Sequence, residues 1–133
     1  MRPSQLASSY KSVAITTASP GQLVLMLFDG ALRFLATAAH GFQVESIAIR
    51  NEQIHNNLVK AQKILRELQC SLDLKVNGEL PQTMFALYDF MIEQLQTANI
   101  TKELAPIGVV ERLLSEIRGA WAQMLEQSAT LEA

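Results

Sequence analysis

One cysteine stands in this sequence, Cys70, so no disulfide can close within the chain, and a reducing, cytoplasmic setting is the plain expectation. Charge is scarce too. Charged residues make up 18% of the chain, eleven basic side chains are scattered among thirteen acids, and the net charge is −2. Phosphate backbones are bound by clustered Lys and Arg, so this composition argues against nucleic acid as a partner. Long apolar runs are missing, none approaching the roughly 20 residues of a membrane helix, which argues against membrane insertion. Nor does the sequence open on a basic stretch, an apolar core and a cleavage site, the layout of a secretory signal.

What is present is apolar. Hydrophobic residues are 49% of 133 positions, enough for one domain that buries about two thirds of the surface its unfolded form exposes. One small core does not easily consume that much, so tight packing or a partner must account for the remainder. The stretch from Ser19 to Ala39 organises the rest. Ser19 suits a helix cap, Pro20 the first helical position and Gln22 the closing residue of a capping box. The run Leu23 to Phe28 follows, and Asp29, Arg33 and Thr37 then mark one narrow polar stripe. Met26 falls on that stripe, an apolar side chain on an outer face and a first hint of a surface that receives something. His40-Gly41 ends the helix, with Gly just beyond its last turn.

A second helical pattern spans about Val44 to Leu72. Ile47, Ile54, Leu58, Ala61, Leu65, Leu68 and Leu72 recur at three- and four-residue steps once Asn51 is counted in the seam. Asn57 lies beside that seam, and Asn56, Lys60, Lys63 and Glu67 make the polar face. Asp73 to Gly78 is a turn, with Asn77-Gly78 its strongest signal. A third helix runs from about Leu80 to Ala98, with Met84, Leu87, Met91 and Leu95 inward and Phe85, Tyr88 and Ile92 as a second apolar column. Pro106 fits only the first turn of a last helix, which Val110, Leu114, Ile117, Trp121 and Met124 carry to about Gln127. Gly119 inside it costs about 1 kcal/mol relative to Ala, which predicts a closely packed neighbour. These elements predict an all-α fold, an antiparallel up-and-down four-helix bundle over residues 19–127. An N-terminal arm or short capping helix over 1–18 precedes it and a tail over 128–133 follows. The arm carries Leu6, Tyr10, Val13 and Ile15; a disordered tail is the competing reading of that composition.

The chemistry that such a bundle could hold is mostly missing. Glu52-Gln53-Ile54-His55 fits the Glu-x-x-His pattern of di-metal bundles, but the site needs a second copy from another helix, and the other histidine, His40, follows Thr37 at that spacing. Cys70 has no His at a meaningful distance in sequence and reads as an inert thiol. No phosphate-cradling Gly-rich loop and no Gly-x-Ser-x-Gly elbow occurs, and the Arg and Lys positions do not converge. No catalytic residue, cofactor or metal is therefore assigned. The remaining anomaly is surplus apolar face: Met26, Phe85, Tyr88, Phe90, Met91 and Met124, with Leu6, Tyr10 and Ile15 of the arm. Thioethers and aromatic rings suit a surface that receives a partner's helix.

At this point the sequence resembles the FliS-type flagellar secretion chaperones. The resemblance is carried by Tyr10, then Ser19-Pro20-Gly21-Gln22-Leu23 and Met26-Leu27-Phe28-Asp29-Gly30-Ala31. It continues through Asn57-Leu58-Val59-Lys60-Ala61-Gln62-Lys63-Ile64-Leu65, Leu87-Tyr88-Asp89-Phe90-Met91, Ala98-Asn99 and Ala120-Trp121. The ordered set covers nearly the whole chain. It implies a cytoplasmic, non-enzymatic chaperone that binds the disordered C-terminal segment of flagellin, blocks premature polymerisation and brings it to the export gate, with a further link to an anti-sigma factor. It gives Tyr10 and Leu6 the role of covering the client surface, and it points to Asn57, Lys60, Gln62 and Asn99 as motif positions on the client side. Many members have Tyr where Phe28 stands here, and the segment from Gly41 to Arg50 is more apolar than the family's acidic turn. Two alternatives stay open, a small helical metal protein or enzyme built on Glu52 and His55, and a structural bundle that forms a homodimer through the surplus apolar face.

Overall fold

The computed structural model describes residues 19–132 as four helices, α1 (Pro20–Gly41), α2 (Ile47–Cys70), α3 (Leu80–Thr101) and α4 (Ala105–Glu132). Each helix packs against the next in sequence and α1 closes the ring against α4. This is the all-α bundle that the periodicities predict. The expected arm, with Leu6, Tyr10, Val13 and Ile15, lies outside the described residues.

The helix starts follow from local chemistry. Ser19 Oγ accepts the Gln22 N–H at 3.2 Å while the Ser19 N–H donates to Gln22 Oε1 at 3.3 Å, so the capping box closes. α2 begins at Ile47, later than the expected Val44, because Ser46 caps it and accepts the Ile49 N–H at 3.4 Å. Phe42, Gln43 and Val44 instead donate back to the last carbonyls of α1. α3 has no side-chain cap at Glu79; the turn before it passes through Gly78 at φ 111°. α3 runs on past Ala98 to Thr101, and Lys102 follows at φ 53° in the left-handed region. α4 continues past Gln127 to Glu132, so five of the residues expected as a tail, 128–132, are helical.

The core is built from Phe28, Leu35, Ile54, Leu58, Leu65, Met91, Leu95, Ile107, Val110 and Leu114, all sealed from solvent, with small Ala31, Ala38, Ala61 and Ala98 between them. α1 and α2 approach closely through glycine. A Cβ on Gly41 would stand 3.3 Å from Ile54 Cγ1, and one on Gly30 would stand 3.4 Å from Ile64 Cδ1. Gly41 is thus the last residue of the helix and a packing residue, not the residue beyond it. Gly119 corrects the opposite way: an added Cβ would meet nothing within 4 Å, so no close neighbour explains it. Ile47, expected in the seam of α2, is 64% exposed because α1 ends near Ile54 and leaves the first turns of α2 uncovered. By length and composition α1 would suffice to cross a membrane, although its uninterrupted apolar run is short; in the bundle it packs between α2 and α4.

Candidate partner-binding surface

The residues singled out from sequence fall on different parts of the bundle. Met26 is half-buried on α1. Lys60 of α2 sits over the ring of Phe34 in α1, with Nζ 5.4 Å from the centroid, so its ammonium already has an aromatic face. Asn57 turns back on its own helix, donating from Nδ2 to the Gln53 carbonyl at 2.8 Å. Gln62 reaches across to α3 and donates to the Ile92 carbonyl at 3.3 Å. Asn99 of α3 contacts His55 of α2, Nδ2 to Nδ1 at 2.9 Å, and accepts from the Lys102 ammonium at both its backbone and side-chain oxygens. Partial burial there holds the Lys102 ammonium below its ordinary range. Phe85 is 37% exposed on α3, its carbonyl accepting from Gln69. Gln62 and Asn99 therefore engage neighbouring helix residues, Gln62 through its Nε2 in a part-buried bond and Asn99 at the exposed edge of the α2–α3 pair. Leu6, Tyr10 and Ile15 lie outside the described residues.

The surplus apolar face also divides. Tyr88 and Met91 are core residues, which bears out the inward position expected for Met91 and corrects their place in the surplus; burial pushes the Tyr88 phenol up to about 12. Phe85, Phe90 and Met124 remain exposed, as expected of a surface.

A more specific feature emerges at one end of the bundle, where α1 and α3 begin and α4 finishes. Sealed burial stops at Phe28 in α1, at Tyr88 in α3 and at Leu114 in α4, although all three helices continue for at least two further turns. Over those turns the inward side chains Val24, Leu27, Met84, Ile117 and Trp121 are only half covered. Beyond them Leu80 is 72% exposed and Met124 41% exposed, with Leu74 and Val76 of the turn exposed beside α3. A shallow open depression lined by Gly78, Glu79, Gln82, Thr83, Ala86 and Leu87 lies over the start of α3. Residues 1–18 join the bundle at this same end, at Ser19. Trp121 and Arg118 hold α4 to the start of α1. Trp121 stands edge-on to Phe28, ring centroids 6.4 Å apart, and Arg118 Nε donates to Asp29 Oδ1 at 2.9 Å, a pairing that raises the guanidinium above its ordinary range. Leu80, Leu74 and Val76 were not singled out from sequence, because a helix start and a turn carry no periodicity that marks a face.

His55 is engaged by Asn99, and among the described residues no group of three His, Cys, Asp or Glu side chains could hold a metal ion. The exposed Cys70 is a free thiol.

Comparison with known proteins places the chain. Residues 3–128 match the family model described as flagellar protein FliS. The chain is 35% identical over 119 residues to the flagellar secretion chaperone FliS of Bacillus subtilis strain 168, a match spanning 90% of this chain and 85% of that protein. It is 36% identical over 121 residues to the flagellar secretion chaperone FliS of Salmonella typhimurium strain LT2, spanning 90% and 87%. Among solved structures, a crystal structure of a flagellar chaperone from bacteria superposes with a TM-score of 0.70 at 21% identity, covering 95% of this chain and 99% of that one, and shares the fold. A family of chaperones, rather than of enzymes, accommodates both the sequence and the uncovered apolar end, and the chain belongs to it: it is a member of the FliS family of flagellar proteins.

Proposed function

We propose that this protein is a flagellar secretion chaperone that holds the disordered C-terminal segment of flagellin in the cytoplasm, prevents its premature polymerisation and delivers it to the flagellar export gate. The observation that carries the reading is the open apolar end, where inward-facing Val24, Met84, Ile117 and Trp121 are half covered and Leu80 and Met124 are exposed. A disordered client gains order by laying its apolar side chains on such a surface, and its own ordering cost keeps the complex reversible. Residues 1–18 serve as a cover for that end, with Leu6, Tyr10 and Ile15 as the apolar contacts and Tyr10 as the residue also read by the gate. Met26 and Phe85 extend the client path along the bundle, and Asn57 and Lys60 border it.

Calorimetric titration of the full chain with a peptide covering the last ~40 residues of its organism's flagellin tests the reading. A one-to-one isotherm with a large negative heat-capacity change is expected, the signature of coupled folding onto apolar surface. No heat and no rise in thermal stability, with the protein folded, would overturn it.

A further inference from the structure

Leu80, Met84 and Tyr88 stand four residues apart on one stripe of α3, and their cover increases along it: Leu80 is 72% exposed, Met84 is half-buried and Tyr88 is 3% exposed. Tyr88 is thus the last sealed residue of α3 before the open end. A helical side chain leans towards the N-terminus of its own helix, and α3 begins at that end, so the Tyr88 ring leans from the core towards the opening. The hydroxyl at the tip of the ring has no hydrogen-bond partner among the described residues, and no side-chain oxygen or nitrogen there is both sealed and unpaired. The small part of Tyr88 that solvent reaches therefore includes its oxygen. Burial around it still pushes the phenol up to about 12, so the oxygen lies in a recess and not on an open face.

Neighbouring polar groups at this end are engaged within the fold. Trp121 Nε1 donates to the Gly21 carbonyl, Gln82 Nε2 to the Leu74 carbonyl, and Arg118 Nε to Asp29. The Tyr88 hydroxyl is not. While the end stays open, water satisfies it, and a phenylalanine would fill the same core volume. The balance changes once an apolar segment covers the end. Water then leaves, and a covered hydroxyl without a partner weakens the complex, whereas one that meets a hydrogen-bonding group strengthens it. The desolvation that disfavours the phenolate disfavours a carboxylate brought alongside, so the matching group is neutral. A segment that folds as a helix has its mid-helix backbone paired already, which leaves a side chain to supply that group.

We propose that the Tyr88 hydroxyl is a specificity-determining contact in the recess of the open end, where it hydrogen-bonds one neutral polar side chain, an amide or a hydroxyl, of the bound client segment. The contact rests on the reading of this end as the client surface. Apolar cover sets how tightly a segment is held, and Tyr88 sets which segment, and in which alignment, fits without leaving a polar group unpaired.

The test is a double-mutant cycle, read by calorimetric titration of the full chain with the flagellin C-terminal peptide. In the peptide each Asn and Gln is changed singly to Leu, each Ser to Ala and each Thr to Val. Against the parent, one of these changes should weaken binding about tenfold, and Tyr88→Phe should weaken the unaltered peptide by a similar factor. Against Tyr88→Phe, that same peptide change should cost nothing or restore affinity, since replacing both partners by apolar groups leaves neither unpaired. Tyr88→Phe should match the parent in urea unfolding at neutral pH, because the free fold does not use the hydroxyl. Equal affinity of Tyr88→Phe and parent for the unaltered peptide, or strictly additive changes, would overturn the contact and leave the client surface standing. No binding by the folded parent would overturn the proposed function and the contact with it. A marked loss of stability in Tyr88→Phe would show the hydroxyl bonded inside the fold and would overturn the contact equally.

Discussion

Trp121 of α4 donates its indole Nε1–H to the carbonyl of Gly21, in the first turn of α1, at 2.8 Å. The bond joins the last helix to the first turn after Ser19, and the ring remains half-exposed there. Replacing Trp121 by Phe keeps an aromatic face for Phe28 but removes the donor, and is expected to lower stability by about 1 kcal/mol in urea unfolding. As the single tryptophan of the chain, Trp121 also reports on its surroundings. Its emission should shift to the blue when the flagellin peptide covers this end. Binding seen by calorimetry with no change in emission would place the client elsewhere on the bundle.

Two glycines in helices should respond to Ala with opposite sign. At Gly119 a Cβ meets open space, so the substitution should stabilise by about 0.5–1 kcal/mol through helix propensity and the stiffer unfolded chain. At Gly41 the Cβ arrives 3.3 Å from Ile54 Cγ1 and 3.6 Å from the Ile54 nitrogen, and Ile54 is sealed in the core with nowhere to give. Crowding there should outweigh the propensity gain. Thermal melts of the two single variants against the parent decide the matter.

Tyr88 makes stability fall in alkali. Its phenol is pushed up to about 12 by burial, from 10.0 when unfolded. The unfolded chain therefore gives up this proton first, and the native state loses ground as pH rises from about 10 towards 12. The full effect is on the order of 2 kcal/mol. Tyr88→Phe should abolish this part of the alkaline loss, so the gap between variant and parent in urea midpoint should widen in the variant's favour between pH 9 and 11.

The four helices were legible in the sequence because their signals are local and periodic. Ser19, Pro20 and Gln22 form the capping box that their spacing predicts, and the α2 stripe from Ile54 to Leu68 is the stripe that is buried. What escaped was tertiary. Whether a glycine is crowded depends on which helix faces it, so Gly41 and Gly119 exchanged roles. Ile47 carries the right spacing but sits beyond the end of α1, and no periodicity encodes where a neighbour stops. The burial of Gln69 was hidden for a related reason: it looked like one more polar residue until α3 supplied Asp89, whose Oδ1 accepts from its Nε2 at 2.7 Å. Met91 was legible as an inward position, yet it and Tyr88 were also counted in the surplus because the composition suggested an excess, and how much apolar face is buried is set by two neighbours at once.

The last prediction concerns the open end itself. Leu80 and Met124 face it from α3 and α4, are 72% and 41% exposed, and hold no polar partner whose loss could disturb the fold. Changing either to Asp should leave the unfolding free energy within about 0.5 kcal/mol of the parent, as for other exposed positions. A carboxylate there must be stripped of water when an apolar client segment arrives, so affinity for the flagellin peptide should fall at least tenfold. Ile47→Asp is the control. It is nearly as exposed as Leu80 but stands at the opposite end of the bundle, where α2 begins, and it should leave affinity unchanged. Equal loss at Ile47 and Leu80 would mean that the client spans the length of the bundle, and loss at Ile47 alone would move the site to the other end. Only the asymmetric result is consistent with a chaperone surface built where the core is left half covered.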